Sequence, residues 1–188
     1  MKKTLFTVIA LLLTSACLLC GCKTISTGNE APKVVFFDSG YQQDEQQIAV
    51  FGKASNGSEL PVICIESKSA MDEFNQRAKE NFYMTEGNEE TTELPTVSDY
   101  NDVVSPYTEE FFKEKALVVC FAFTGNSLSL FEISDISIEN NKLTVCVETM
   151  AMSSDYGMEG RFVFVEIPKN DLKGVTEFSA ILNSEAIV

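Results

Sequence analysis

The chain has 188 residues, 45% of them hydrophobic, with a formal charge of −14 and neither histidine nor tryptophan. Length and apolar content are enough for one domain with a core of its own. The acidity excludes an electrostatic hold on nucleic acid, and the lack of histidine excludes Ser-His-Asp and Cys-His catalysis and every histidine metal site.

The front of the chain is a signal by its layout. Met1-Lys2-Lys3 is basic, Leu5–Leu19 is apolar apart from Thr7, Thr14 and Ser15, and the run closes on Leu19-Cys20-Gly21-Cys22. The apolar run is shorter than the roughly 20 residues a spanning helix needs, so residues 1–21 read as a secretory signal peptide. The closing four residues resemble the lipobox of bacterial lipoproteins. That resemblance implies cleavage after Gly21, a lipid anchor on Cys22, and a place on the extracytoplasmic face of the cell membrane. Cys17 lacks the large apolar residue three positions upstream, and Cys20 follows the bulky Leu19, so Cys22 alone has both features. Loss of residues 1–21 removes two lysines and no acid, which takes the formal charge to −16. Membrane contact is then expected from the lipid and not from a basic patch.

Residues 22–33 read as a lipidated flexible tether with a reach of about 18 Å, root mean square. Residues 34–188 read as a single domain. Val34–Phe37 is a strand, residues 41–47 a polar connector, Ile48–Phe51 a second strand and Leu60–Ile65 a third, with Pro61 near its start. Met71, Phe74, Ala78 and Phe82 fall on one face of a helix spanning about 69–83. Ser69 with Asp72 suits its cap, and Glu73 can pair with Arg77 one turn on. Residues 85–102 form an acidic solvated loop. Its Asp99, Asn101 and Asp102 lack the spacing of a calcium loop.

A short helix over about 108–113, capped by Thr108, uses Phe111 and Phe112 to pin itself down. Ala116–Phe123 is apolar throughout and predicts a central strand buried on both faces. Thr124-Gly125-Asn126-Ser127 turns the chain. Leu128–Ile138 alternates with a slip at Ser134-Asp135 that predicts a bulge, and Asn140-Asn141 predicts a tight hairpin. Leu143, Val145 and Val147 share a buried face, Ala151–Gly160 is a loop, and Phe162–Ile167 and Glu177–Leu182 are the last strands. The fold class is α+β: a mostly antiparallel sheet or meander packed by one main helix.

Beyond Cys22 three cysteines remain, Cys64, Cys120 and Cys146, each inside an apolar run. They are expected as buried thiols, with a Cys120–Cys146 pair open if their strands neighbour each other. No motif asks for a cofactor or a metal.

Residues 107–172 resemble a small extracytoplasmic domain of low-GC Gram-positive bacteria. The likeness rests on Tyr107–Phe112, Ala116–Phe123, Thr124–Ser127 and Arg161–Lys169. More loosely the stretch resembles the carboxy-terminal domain of a bacterial protease-complex stabiliser protein, although the turn here lacks that domain's second Gly and its Tyr. The second resemblance implies partner binding rather than catalysis. The expected function is a membrane-tethered protein-binding module, a stabiliser or peptidase inhibitor of an exported partner. Its contact residues are Thr124, Gly125, Asn126, Ser127, Asp155, Tyr156 and Gly157. The alternative is a carboxylate-dependent hydrolase such as a glycosidase, which needs two acids fixed in a cleft.

Replacing Cys22 by Ser should release the protein from membranes, because the acidic surface leaves the acyl chains as the source of affinity. Fractionation checks this: equal retention of wild type and variant, with the signal removed from both, overturns the lipid anchor.

Overall fold

Two runs of the sequence stay apolar on consecutive residues, Ala116–Phe123 and Phe162–Val165, and they become neighbouring central strands. The computed structural model describes residues 23–24, 33–38, 43–82, 100–126, 129–151 and 156–185. Along the chain the elements are β1 (Lys23–Thr24), β2 (Val34–Asp38), α1 (Asp44–Phe51), β3 (Glu59–Leu60), β4 (Val62–Ile65), α2 (Lys68–Asn81), α3 (Tyr100–Val104) and α4 (Phe111–Glu114). There follow β5 (Lys115–Asn126), β6 (Ser129–Glu139), β7 (Lys142–Ala151), β8 (Tyr156–Pro168) and β9 (Glu177–Glu185).

The strands form two sheets, ordered β2-β8-β5-β4 and β1-β6-β7-β9-β3. The four-stranded sheet lies in the middle of three layers. Its Val118, Cys120, Val163 and Val165 meet Leu143, Val145 and Val147 of the five-stranded sheet. The alternate residues Leu117, Val119, Phe121, Phe162 and Phe164 meet the helices through Met71, Phe74 and Ala78. Side chains of a strand point alternately to the two faces, so a strand covered on both sides has no position for a polar residue. The fold is α+β with mainly antiparallel sheet, as its composition of elements predicts. One pair departs from this: β7 and β9 run parallel, Lys142 opposite Glu177.

Most of the predicted elements are present. β6 and β7 make a hairpin over Asn140 (φ 51°) and Asn141 (φ 64°), the left-handed backbone a two-residue primed turn requires. The β6–β7 register shifts between Ile133 and Asp135, where the bulge was expected. The main helix is Lys68–Asn81, with Met71, Phe74 and Ala78 buried. Its cap is Ser67 and not Ser69: the Ser67 hydroxyl accepts from the Ala70 N–H at 3.1 Å. Its i,i+4 ion pair among the described residues joins Lys68 and Asp72 rather than Glu73 and Arg77. The short helix is Phe111–Glu114, and the Thr108 hydroxyl accepts from the Phe111 N–H at 3.3 Å.

Other expectations are corrected. Ile48–Phe51 is not a strand but the end of α1. The polar run before it hides an inward residue: Gln47 is buried, and its amide oxygen accepts from the Ser55 N–H and hydroxyl at 2.9 Å each. Gln47, Val50 and Phe51 share one helical face, and Gly52 (φ 77°) ends the helix in the left-handed region. Leu60–Ile65 is two strands in different sheets. Leu60 pairs with Ala180, Val62 pairs with Cys120, and Pro61 sits at the corner, its carbonyl accepting from the Phe121 N–H at 3.1 Å. Such corners carry a strand from one sheet to the other. Within residues 85–102, Tyr100–Asp102 open α3, and the rest of the acidic loop lies outside the described residues. Within the tether, Lys23 and Thr24 pair with β6, and Lys33 leads into β2. Cys22 and residues 25–32 lie outside the described residues.

The helical layer is held by aromatic rings. Phe74 is fully buried, with ring centroids 5.8 Å from Phe51, 5.9 Å from Phe162 and 6.5 Å from Phe164. Edge-on contacts of this kind add to simple burial. Phe74→Ala should cost about 3–5 kcal/mol, because these ring partners cannot all close on the void. The denaturant midpoint measures it, and a midpoint equal to wild type would show that the face does not hold the layer.

Candidate functional site

Of the residues expected to meet a partner, Thr124, Gly125, Asn126, Tyr156 and Gly157 lie at one end of the four-stranded sheet. The β5–β8 ladder continues past Phe123, with Thr124 opposite Glu159 and Asn126 opposite Tyr156. Thr124, Gly125 and Asn126 are therefore not a free turn, and Tyr156 and Gly157 are not in a loop. Each stretch extends a strand whose inner part is buried on both faces, and backbone pairing carries on to the tip. The register shift between Thr124 and Asn126 places a bulge in β8, where Gly157 and Met158 stand opposite the single residue Gly125. Bulges at a sheet end re-aim the strand. Ser127 and Asp155 lie outside the described residues.

Just inward, β6 and β7 add a second feature to this end. Leu130 and Met150 stand opposite each other on the outer face of the five-stranded sheet, 37% and 53% exposed. Met150 is out of phase with Leu143, Val145 and Val147, so alternation puts it on the outer face, whereas nothing in the sequence separates Leu130 from its buried neighbour Phe131. Behind them the sheets are tied together. The Arg161 guanidinium lies 4.9 Å from the centre of the Phe131 ring, a cation–π contact from β8 to β6. The β5 and β8 tips thus end the four-stranded sheet, and Leu130 and Met150 lie on the far face of the other sheet at the same end.

The thiols do not form a site. Cys64, Cys120 and Cys146 are free. Cys120 faces the layer between the sheets, while Cys146 lies on the outer face of the five-stranded sheet opposite Asp135, so no bridge joins them. Burial pushes the Cys120 thiol up to about 12. Burial, with Glu66 nearby, does the same to Cys64, again to about 12. Burial and the acids Asp135 and Glu148 raise Cys146. A raised pKa leaves little thiolate at neutral pH, which is the opposite of an activated nucleophile.

Among the described residues, the acids that face each other across a strand pair are not set in a cleft. Glu132 and Glu148 stand opposite each other, on the open outer face of the five-stranded sheet and not in a cleft. A shallow depression of about 380 Å³ on that sheet, near the hairpin, is lined by Ser137, Glu139, Asn140, Lys142, Thr144 and Glu177. Among the described residues the buried acid is Glu166, whose oxygens receive Lys33 at 3.2 Å and Lys115 at 2.8 Å. This clamp joins the start of β2 and β5 to the end of β8, and a sequence reading of β8 as an apolar strand passed over it. Among the described residues, no group of three or more Cys, Asp or Glu is arranged to hold a metal ion.

No protein-family model matches the chain, and neither a curated protein nor a solved structure matches it.

Thiol labelling at pH 8 should modify Cys146 first and reach Cys120 only at the rate of global unfolding. Rapid native labelling of Cys120 would contradict its burial. The sign of the pH effect follows from the raised pKa. The fold keeps its full margin below the ordinary thiol pKa of about 8.5 and loses it as pH climbs towards the folded value.

Proposed function

We propose that the protein is a lipid-anchored, extracytoplasmic protein-binding module that meets an exported partner through the Asn126–Tyr156 end. The observation that carries this reading is the cross-strand pairing of Asn126 with Tyr156. It brings together two stretches far apart in sequence, at the end of the fold where Leu130 and Met150 lie on the outer face of the five-stranded sheet. A tyrosine and exposed apolar groups on a rigid support are the composition of an interface core, and their fixed backbone lowers the ordering cost of association. The resemblance of residues 107–172 to an extracytoplasmic domain and to a stabiliser domain supports the same class of function. The lipobox at Leu19–Cys22 supports the anchor.

The test is crosslinking from intact membranes followed by capture of the acylated protein. The Asn126→Ala/Tyr156→Ala double variant should lose the crosslinked partner several-fold while its thermal midpoint stays near wild type. Met150→Glu should weaken the same crosslink. Capture equal to wild type by both variants overturns the assignment of this end.

A further inference from the structure

We propose that the open edge of β6 takes up an extended segment of the exported partner as an added strand, and that this segment alternates apolar and basic residues. The proposal rests on the protein-binding reading above and names the chemistry of the partner.

The edge comes first. β6 lies between β1 and β7, but β1 reaches only Ser137 and Ile138. Among the described residues, 129–136 have no strand on the side away from β7. The register shift between Ile133 and Asp135 breaks that stretch, so residues 129–133 are an uninterrupted length of open backbone. On an edge strand the N–H and C=O of alternate residues point outwards, where an incoming chain can pair with them.

The side chains flanking this edge differ in kind. Phe131 and Ile133 point into the layer between the sheets. A residue of an added strand beside them would extend that layer, and an apolar side chain suits it. Leu130 and Glu132 point the other way, onto the outer face. Residues of an added strand alternate between the same two faces.

Charge selects the outward residues. The helices lie against the four-stranded sheet, which leaves the outer face of the five-stranded sheet open. By strand phase that face carries Glu59, Glu132, Asp135, Glu139, Glu148 and Glu177 against one base, Lys142. The described side chains off this face are near balance, with twelve acids and ten bases. Glu132 and Glu148 stand directly opposite each other, and like charges so placed repel. Lys142 lies at the other end of the sheet, beside Glu139 and Glu177. An arginine or lysine arriving next to Glu132 relieves a repulsion that the fold leaves standing. The same charge turns away a second copy of this edge.

The experiment uses the full-length protein in a neutral detergent. The probe is a fluorescent seven-residue peptide alternating valine and arginine, with binding read by anisotropy. The peptide should bind, and more weakly as salt rises. A valine–glutamate peptide, and a valine–arginine peptide methylated at every backbone nitrogen, should each bind at least tenfold more weakly. Glu132→Gln/Glu148→Gln should weaken binding several-fold without lowering the thermal midpoint. Glu73→Gln/Glu80→Gln, the same change of charge on the exposed side of α2, should leave binding unaltered. Amide hydrogen exchange should slow within residues 129–133 when the peptide is added. Equal weakening by the two double variants overturns the face, since net charge alone then explains the binding. Full binding by the methylated peptide, or protection confined to other residues, overturns strand addition. Protection of residues 129–133 that rises with protein concentration in the absence of peptide assigns the edge to a second copy and overturns the proposal. Failure of the valine–arginine peptide to bind, with the membrane crosslink still dependent on Asn126 and Tyr156, overturns this inference and leaves the partner surface proposed above standing.

Discussion

Burial of the β5–β8 pair on both faces is the constraint on which the rest of this structure depends. A sheet whose two central strands have no polar face needs cover on each side. The five-stranded sheet supplies one cover and the helices the other. Every other choice follows from that demand. α2 must be amphipathic, the inward face of the five-stranded sheet must be aliphatic, and the single acid in β8's inner part must be matched by lysines. Glu166 meets that last requirement at the sheet's end, where Lys33 and Lys115 keep partial access to water. A charge clamped at the rim avoids the full desolvation penalty of a charge in the middle.

The division of labour between faces also accounts for what was legible in the residues. Ala116–Phe123 announces its environment because every position is apolar, and Leu143, Val145 and Val147 announce theirs by alternation. Asn140-Asn141 is legible through backbone chemistry, since asparagine tolerates positive φ. α1 was illegible because its buried face includes Gln47, a polar side chain satisfied by Ser55 eight residues away. Nothing local in Tyr41–Gln47 reveals that partner. The split at Pro61 was hidden for a similar reason: which sheet each half joins depends on β5 and β9, far along the chain.

The candidate site was half legible. Its residue types stood out as Gly, Asn, Ser and Tyr between apolar runs, which suggested turns. Their pairing depends on register between strands separated by two others, and a propensity reading cannot supply register. Leu130 was invisible for the converse reason, because an exposed apolar residue next to Phe131 looks like its buried neighbour, while the phase of Leu143, Val145 and Val147 already placed Met150 outside. Geometry changes the described part of the site, residues 124–126 and 156–160, from turn and loop to paired strand.

The parallel pairing of β7 with β9 carries a consequence for how the chain assembles. β9 sits inside the five-stranded sheet, between β7 and β3, and β8 between them in sequence belongs to the other sheet. The edge strand β3 has β9 as its partner. A chain made amino end first therefore cannot close this sheet until residues near 177–185 have emerged. β3 and the corner at Pro61 must wait for them across more than a hundred residues of chain. Contacts of such long sequence separation slow folding and leave apolar edges uncovered in the meantime. The topology thus delays closure of the five-stranded sheet until β9 has been made, so that its amino-terminal edge is the last to be covered.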